Sequence, residues 1–292
     1  MAPAGAILVL LRCLYSESLA MNLLYPVSLV LLLPALVVAE VTSFTNCPQF
    51  FTQPYSKVSF PTILQGPRYK QICQRHDNIY EFATLYDTTN RIPVYSAYKY
   101  FGRTPCTRRP GNWFIEPQLD IPGGSPNMSP EGPNIGQKQA LNMDYINSGY
   151  HKGHLYPVFQ VRKQCTADAT FTLTNGAPQV PNFNQGAWKK IEREIAEVLS
   201  TNQKCKGNPV YVVTGTVPGN ILMNGWVNIP SYFWSAYCCL DNNNVPQISN
   251  GYIGMNVIHS KVDGPITVAA LEGKLSDNNH YATPFSVFGG RC

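Results

Sequence analysis

Charge is scarce in this sequence. Only 13% of its 292 residues are Asp, Glu, Lys or Arg, while 44% are hydrophobic, a balance that supports a sizeable core in one large domain or two small ones. No low-complexity tail and no internal repeat is present. No run of more than two consecutive Lys or Arg occurs, so nothing suggests a basic nucleic-acid-binding tail. No C-x-x-C pair occurs, which argues against a zinc ribbon. No G-x-S-x-G is found, so a serine hydrolase has no nucleophile context. What is abundant is glycine and proline, 22 and 24 residues, and that argues for many turns and against an all-helical fold.

Long apolar runs are confined to the N-terminus. Met21–Ala39, "MNLLYPVSLVLLLPALVVA", carries no charge and ends in small residues before Glu40, the pattern of a secretory leader cleaved near Ala39. Met21 is an alternative start, since Met1–Ala20 is largely apolar with Arg12 its only basic residue. The rival reading is an uncleaved membrane anchor, because 19 apolar residues just span a bilayer. Residues 1–39 are therefore expected to be a leader and residues 40–292 a single domain, secreted from the cell. Eight cysteines follow the leader. An even number in that context reads as a disulfide framework, with the connectivity open. Adjacent Cys238 and Cys239 are expected to bond different partners. The net charge is +5, and Arg12 and Glu17 cancel within the leader. The remainder is mildly basic, which suits a polyanion partner without specifying one.

Several segments read as strands: Pro93–Tyr100, the alternating "ATFTLTN" of Ala169–Asn175, Pro209–Val217 and Gly264–Leu271. The Pro/Gly/Asn-rich stretch between Pro110 and Pro133 reads as a long surface loop. From Trp188, apolar Ile191, Ile195, Val198 and Leu199 recur at helical spacing among charged residues, giving an amphipathic helix that ends near Ser200–Asn202. Asn182 or Asn184 is placed to cap its start. A shorter helix is expected over Ile135–Ile146.

Polar residues able to do chemistry gather where these elements join. His154 sits in the turn of "GYHKGHLYP". Asn175 ends a strand, and Asn184, Trp188 and Glu192 step by four along one helical stripe. Amide and carboxylate oxygens with water form a hard-ligand environment suited to Mg²⁺ rather than Zn²⁺. His151 and His154 as a zinc pair lack a third His or a Cys. Each residue alone has an ordinary reading as well: a loop histidine, a helix cap, a solvated glutamate, a strand-end asparagine.

Together, "YHKGHLYP", "FTLTNGAPQ" and "FNQGAWKKIE" resemble the DNA/RNA non-specific endonucleases of the ββα-metal superfamily, over most of the chain from about Tyr80 onward. The nearest members are a secretory-pathway group with a similar leader and cysteines. The family motif is Asp-Arg-Gly-His, then a strand ending in Asn with Pro-Gln behind it, then Asn-x-Gly-x-Trp and a Glu. The resemblance implies an α+β fold, a largely antiparallel central sheet flanked by helices and held by disulfides, carrying the ββα-metal site. It implies hydrolysis of DNA or RNA through contacts to the backbone. His154 takes the place of the general base and Asn184 that of the single protein ligand to Mg²⁺ (or Mn²⁺). Glu192 holds metal-bound water, Asn175 supports the cluster, and Lys152 faces the phosphate charge. Arg109, in "RRPGNWFIEP", is a second phosphate contact. The chain departs from the motif at His151, in place of Asp, and at Lys152, in place of Arg. Lys lacks the bidentate fork of Arg, so a weakly active or silent protein that binds a polyanion or a protein partner is the alternative.

Overall fold

The computed structural model describes residues 40–108, 111–277 and 280–292. The leader and Arg109 lie outside the described residues. The chain begins with β1 (Tyr69–His76), β2 (Ile79–Asp87) and β3 (Ile92–Tyr100). A short helical turn α1 (Pro117–Asp120), strand β4 (His151–His154), helix α2 (Gln164–Ala169) and strand β5 (Gly176–Gln179) follow. The turn α3 (Pro181–Phe183) runs through a π-helical turn, Asn184–Trp188, into helix α4 (Lys189–Thr201). Then come β6 (Val210–Val217), β7 (Ile221–Met223), β8 (Val227–Ile229), β9 (Tyr232–Leu240), β10 (Pro246–Met255), β11 (Val262–Ile266) and helix α5 (Val268–Leu275).

Seven strands make one sheet in the order β1-β2-β3-β6-β9-β10-β11, and every neighbouring pair is antiparallel. β4 and β5 form a separate antiparallel ladder beside it. The fold is thus α+β with a largely antiparallel sheet. Side chains alternate across the sheet with period 2. Tyr211 and Val213 of β6 join an apolar layer with Leu271 and Leu275 of α5 and with Phe44, Phe51 and Phe285. Val210 and Val212 face the opposite layer, against Ile195 and Leu199 of α4. A third cluster, Trp113, Leu155, Phe171, Phe183, Trp188 and Phe233, supports β4, β5 and the start of α4. Trp188 is fully enclosed, and truncating a buried aromatic to Ala costs about 3–5 kcal/mol.

Three disulfides are seen among the described residues: Cys47–Cys73, Cys205–Cys239 and Cys238–Cys292. Cys165 is oxidised as well. Adjacent Cys238 and Cys239 do bond different partners, and each belongs to a different face of β9, Cys238 to the α5 layer and Cys239 to the α4 layer. Cys106 is a free thiol, so the expectation that all eight pair is not met there.

Four local readings are corrected. Ala169–Asn175 is not a strand; it is the end of α2, an isolated bridge from Thr172 to Phe114 and a 3₁₀ turn over Leu173–Asn175. Its threonines alternate because two of them face a buried carboxylate, not water. Thr172 and Thr174 donate to Oε1 of Glu116 at 2.8 and 2.9 Å. Gly264–Leu271 splits into the end of β11 and the start of α5, where the Thr267 hydroxyl accepts from the Ala270 N–H at 3.1 Å and caps the helix. Ile135–Ile146 holds only a 3₁₀ turn, Asn142–Tyr145. The Pro110–Pro133 stretch is not wholly at the surface, since Trp113, Phe114, Ile115, Leu119 and Met128 are buried.

Glu116 has a second buried acid beside it. Glu40 is fully enclosed, its Oε1 accepts from the Arg75 N–H at 2.9 Å, and its carboxyl interacts electrostatically with that of Glu116. Both Oε2 atoms are buried without a hydrogen-bond partner, and one proton shared between the carboxyls would satisfy both. Burial pushes both groups up, and the charge of Glu116 adds to the effect on Glu40.

Candidate active site

β4 and β5 pair in a four-residue register, His151 opposite Gln179 and His154 opposite Gly176. Gly153 occupies a place where only glycine fits. A Cβ there would stand 2.3 Å from Oε1 of Gln179, because that side chain crosses the ladder. Gln179 is fully buried and accepts a hydrogen bond from Nδ2 of Asn184. The contact fixes which way the Asn184 amide points: nitrogen toward the ladder, oxygen away from it. Asn184 opens the π-helical turn, a local departure from α geometry often found at functional sites. Asn184 and Glu192 line one cleft, while Trp188 between them packs against Phe183 and Phe233 in the core.

That cleft has a volume of about 560 Å³ and is lined by Arg108, Lys152, His154, Asn184, Lys189, Glu192 and Arg193, among others. The lining thus carries four cationic side chains against one carboxylate, an electrostatic match to an anionic ligand. His154 packs against Trp113 and Phe171, with ring centroids 4.4 and 4.8 Å away. Its Nε2 is buried and has no partner. Burial, reinforced by the charge of Arg108, pulls its pKa down to about 3. The imidazole is therefore neutral at physiological pH and can accept a proton. Glu192 is shifted the other way. Burial pushes it up to about 8 against the opposing pull of Arg108, Lys189 and Arg193.

Lys152 reaches the same cleft but is not a loose cation. Its Nζ donates to Oδ1 of Asn142 at 2.5 Å and lies 5.6 Å from the rings of both Trp113 and Tyr145. Burial lowers its pKa, and Glu131 opposes that shift. His151, at the position of the motif Asp, is exposed on the cleft rim.

Asn175 does not line the cleft. It is fully buried, and its side chain makes four hydrogen bonds. Nδ2 donates to the carbonyls of Tyr156 and Thr170 at 3.1 and 2.9 Å. Oδ1 accepts from the Tyr156 N–H and the Ser96 hydroxyl, both at 2.9 Å. It holds the chain that leaves His154 and touches nothing in the cleft. Arg109, expected to contact phosphate, lies outside the described residues, and its neighbour takes a place in the site. Arg108 lines the cleft and acts on both His154 and Glu192. The adjacent arginines in "RRPGNW" were the available signal, without the register to separate them.

The donor set suits a hydrated hard cation. Oδ1 of Asn184 is engaged only by the exposed Gln185 side chain, whose Nε2 donates to it at 2.7 Å, and the Glu192 carboxylate shares the cleft. No group of three or more His, Cys, Asp or Glu able to hold a metal occurs among the described residues. An ion here would keep most of its water, as Mg²⁺ tolerates and Zn²⁺ sites do not.

Residues 66–271 match the DNA/RNA non-specific endonuclease family. The human endonuclease domain-containing 1 protein is 36% identical over 214 residues, 70% of this chain and 41% of that one. Bovine mitochondrial endonuclease G is 42% identical over 78 residues, 26% of this chain and 24% of its own. A nuclease of a Nostoc strain is 34% identical over 103 residues, 34% of this chain and 35% of its own. The chain spans well under half the length of each.

Proposed function

Because this chain belongs to the DNA/RNA non-specific endonuclease family, we propose that its cleft hydrolyses phosphodiester bonds of DNA or RNA without regard to sequence. The observation that carries the reading is the meeting of His154, Asn184 and Glu192 in one cationic cleft. His154 is the general base. It is neutral, so its imidazole can take a proton from an attacking water. An incoming phosphate offsets the charge of Arg108, the lesser of the two causes that hold the pKa down, and so returns part of the imidazole's basicity. Trp113 and Phe171 hold the ring in place. Lys152 and Arg108 supply positive charge for the phosphoryl oxygens, and neither reads a base.

Asn184, with Glu192 acting through water, would hold Mg²⁺ or Mn²⁺. Such an ion stabilises the charge that develops on the leaving oxygen. The working domain is residues 40–292, released outside the cell after loss of residues 1–39 or 21–39. Its disulfides suit that compartment, and no described helix is long and apolar enough to cross a membrane.

The state of Lys152 favours a second reading. Its ammonium is already bonded to Asn142 and caged by two rings, and His151 offers no carboxylate to the turn. A protein of this kind binds nucleic acid or another polyanion and cuts poorly. Plasmid digestion by residues 40–292, with Mg²⁺ and with chelator, decides between them. The parent should cut only with metal, and His154→Ala should lose ~10²–10⁴-fold. An inert parent, together with a His151→Asp, Lys152→Arg double variant that cuts, establishes the second reading. Equal cutting by parent and His154→Ala rejects the mechanism.

A further inference from the structure

Phe159 lies on the rim of the catalytic cleft, and two guanidinium groups contact its ring. The Arg193 Cζ is 5.9 Å from the ring centroid and the Arg103 Cζ is 4.6 Å from it. Arg193 lines the catalytic cleft, whereas Arg103 lines a second groove of about 720 Å³. The walls of that groove also carry Lys99, Phe101 and Lys206 and contain no Asp or Glu. Phe101 is 61% exposed, with the Lys99 ammonium 5.5 Å from its ring centroid. Cations and aromatic faces thus alternate along one tract, from Arg193 across Phe159 and Arg103 to Phe101, Lys99 and Lys206.

Phosphate alone does not account for this composition. Cations suffice for a polyanion, and an exposed phenyl ring beside them costs hydration without return. A duplex keeps its base faces inside its own stack, so it offers such a ring nothing. Unpaired bases offer flat faces at intervals between phosphates, and they stack on aromatic rings whatever their sequence. We propose that this tract binds a single-stranded nucleic acid leading into or out of the catalytic cleft, with a base stacked on Phe101 and phosphates on Arg103, Lys99 and Lys206. The proposal rests on the nuclease reading for the direction of the strand, but its test does not require turnover.

Fluorescence anisotropy should be measured in chelator on the His154→Ala form of residues 40–292. The probes are a labelled oligothymidylate and a labelled duplex of the same length. Adding Phe101→Ala should weaken single-strand binding by about 5- to 150-fold, the range for losing one stacked base, and should leave duplex binding within about twofold. Phe101→Trp should keep the parent affinity, and circular dichroism should show all variants folded. Arg103→Ala should reduce the slope of log affinity against log salt by about 0.7, one phosphate contact on a single strand. Unchanged single-strand affinity in Phe101→Ala overturns the proposal. So does equal loss on strand and duplex, which would mark a purely electrostatic surface. If the parent never cuts, the nuclease reading fails, and these binding results still decide the tract.

Discussion

Asn175 and Asn184 stand nine residues apart and carry the same amide, yet the fold sets them opposite tasks. Asn175 is sealed behind the site, and all four of its hydrogen-bonding positions are spent on Tyr156, Thr170 and Ser96. Asn184 is half-exposed at the π-helical turn. Its nitrogen is committed to Gln179, and its oxygen is shared only with an exposed glutamine, Gln185. A saturated polar group can only hold structure, because any new bond costs an old one. A polar group with an exchangeable partner can take a ligand. The site thus divides into a sealed framework and an open cleft, with His154 on the border.

Mutating the two asparagines tests the division most strongly. Asn175→Ala leaves two carbonyls and an N–H without that partner and costs the Ser96 hydroxyl one of its two, the other being Thr84, a loss on the order of 3–5 kcal/mol. The melting temperature should fall by about 10 °C, and cleavage should fall in proportion to folded protein. Asn184→Ala should reduce metal-dependent cleavage by at least about 100-fold, the scale of one lost charge-stabilising contact. Its melting temperature should stay within ~2 °C, as for a solvent-facing change. Should Asn175→Ala keep its melting temperature while losing cleavage, the division fails.

His154 tests the border through pH. Its native pKa lies near 3 against an ordinary 6.5. As pH falls through 6.5 the unfolded chain takes up a proton that the native imidazole refuses until about pH 3, so stability drops across that window. His154→Gln should show a shallower decline in melting temperature from pH 6.5 to 4. Parallel declines would mean the imidazole is hydrated in solution. The smallest effect lies deepest in the framework. Glu40 is raised well above its ordinary 4.5, so above that pH the native state keeps a proton the unfolded state has shed, and stability falls as pH rises. Glu40→Gln supplies an N–H in place of the proton, and thermal melts should show a gain that grows from pH 5 to 8. No gain would mean the two carboxyls do not share a proton.

The open side of this comparison was the legible side. The helix from Trp188 and the spacing from Asn184 to Glu192 are set by neighbours a few residues away, so their pattern survives in one dimension, whereas His154, expected in a turn, ends strand β4, whose partner β5 begins only at Gly176. The sealed side was not legible. The alternation of Thr170, Thr172 and Thr174 copies that of a solvent-facing strand, and only Glu116, 56 residues away from Thr172, explains it. The cage around Lys152 draws Asn142 and Tyr145 from a segment expected to be helical and Trp113 from one expected to be loop. Arg108 and Arg109 differ by one residue in a Pro/Gly-rich stretch, where no period fixes the register.

The paired cysteines of β9 have a mechanical consequence. Cys238 is bonded to Cys292 on one face, and Cys239 to Cys205 on the other. A pull applied at Cys292 therefore bypasses α5 and the segment after it and reaches the middle of the sheet directly. There β9 is flanked by β6 and β10, so both neighbouring ladders must be sheared before the strand moves. The oxidised chain should behave under force as though Cys292 were part of the interior strand β9.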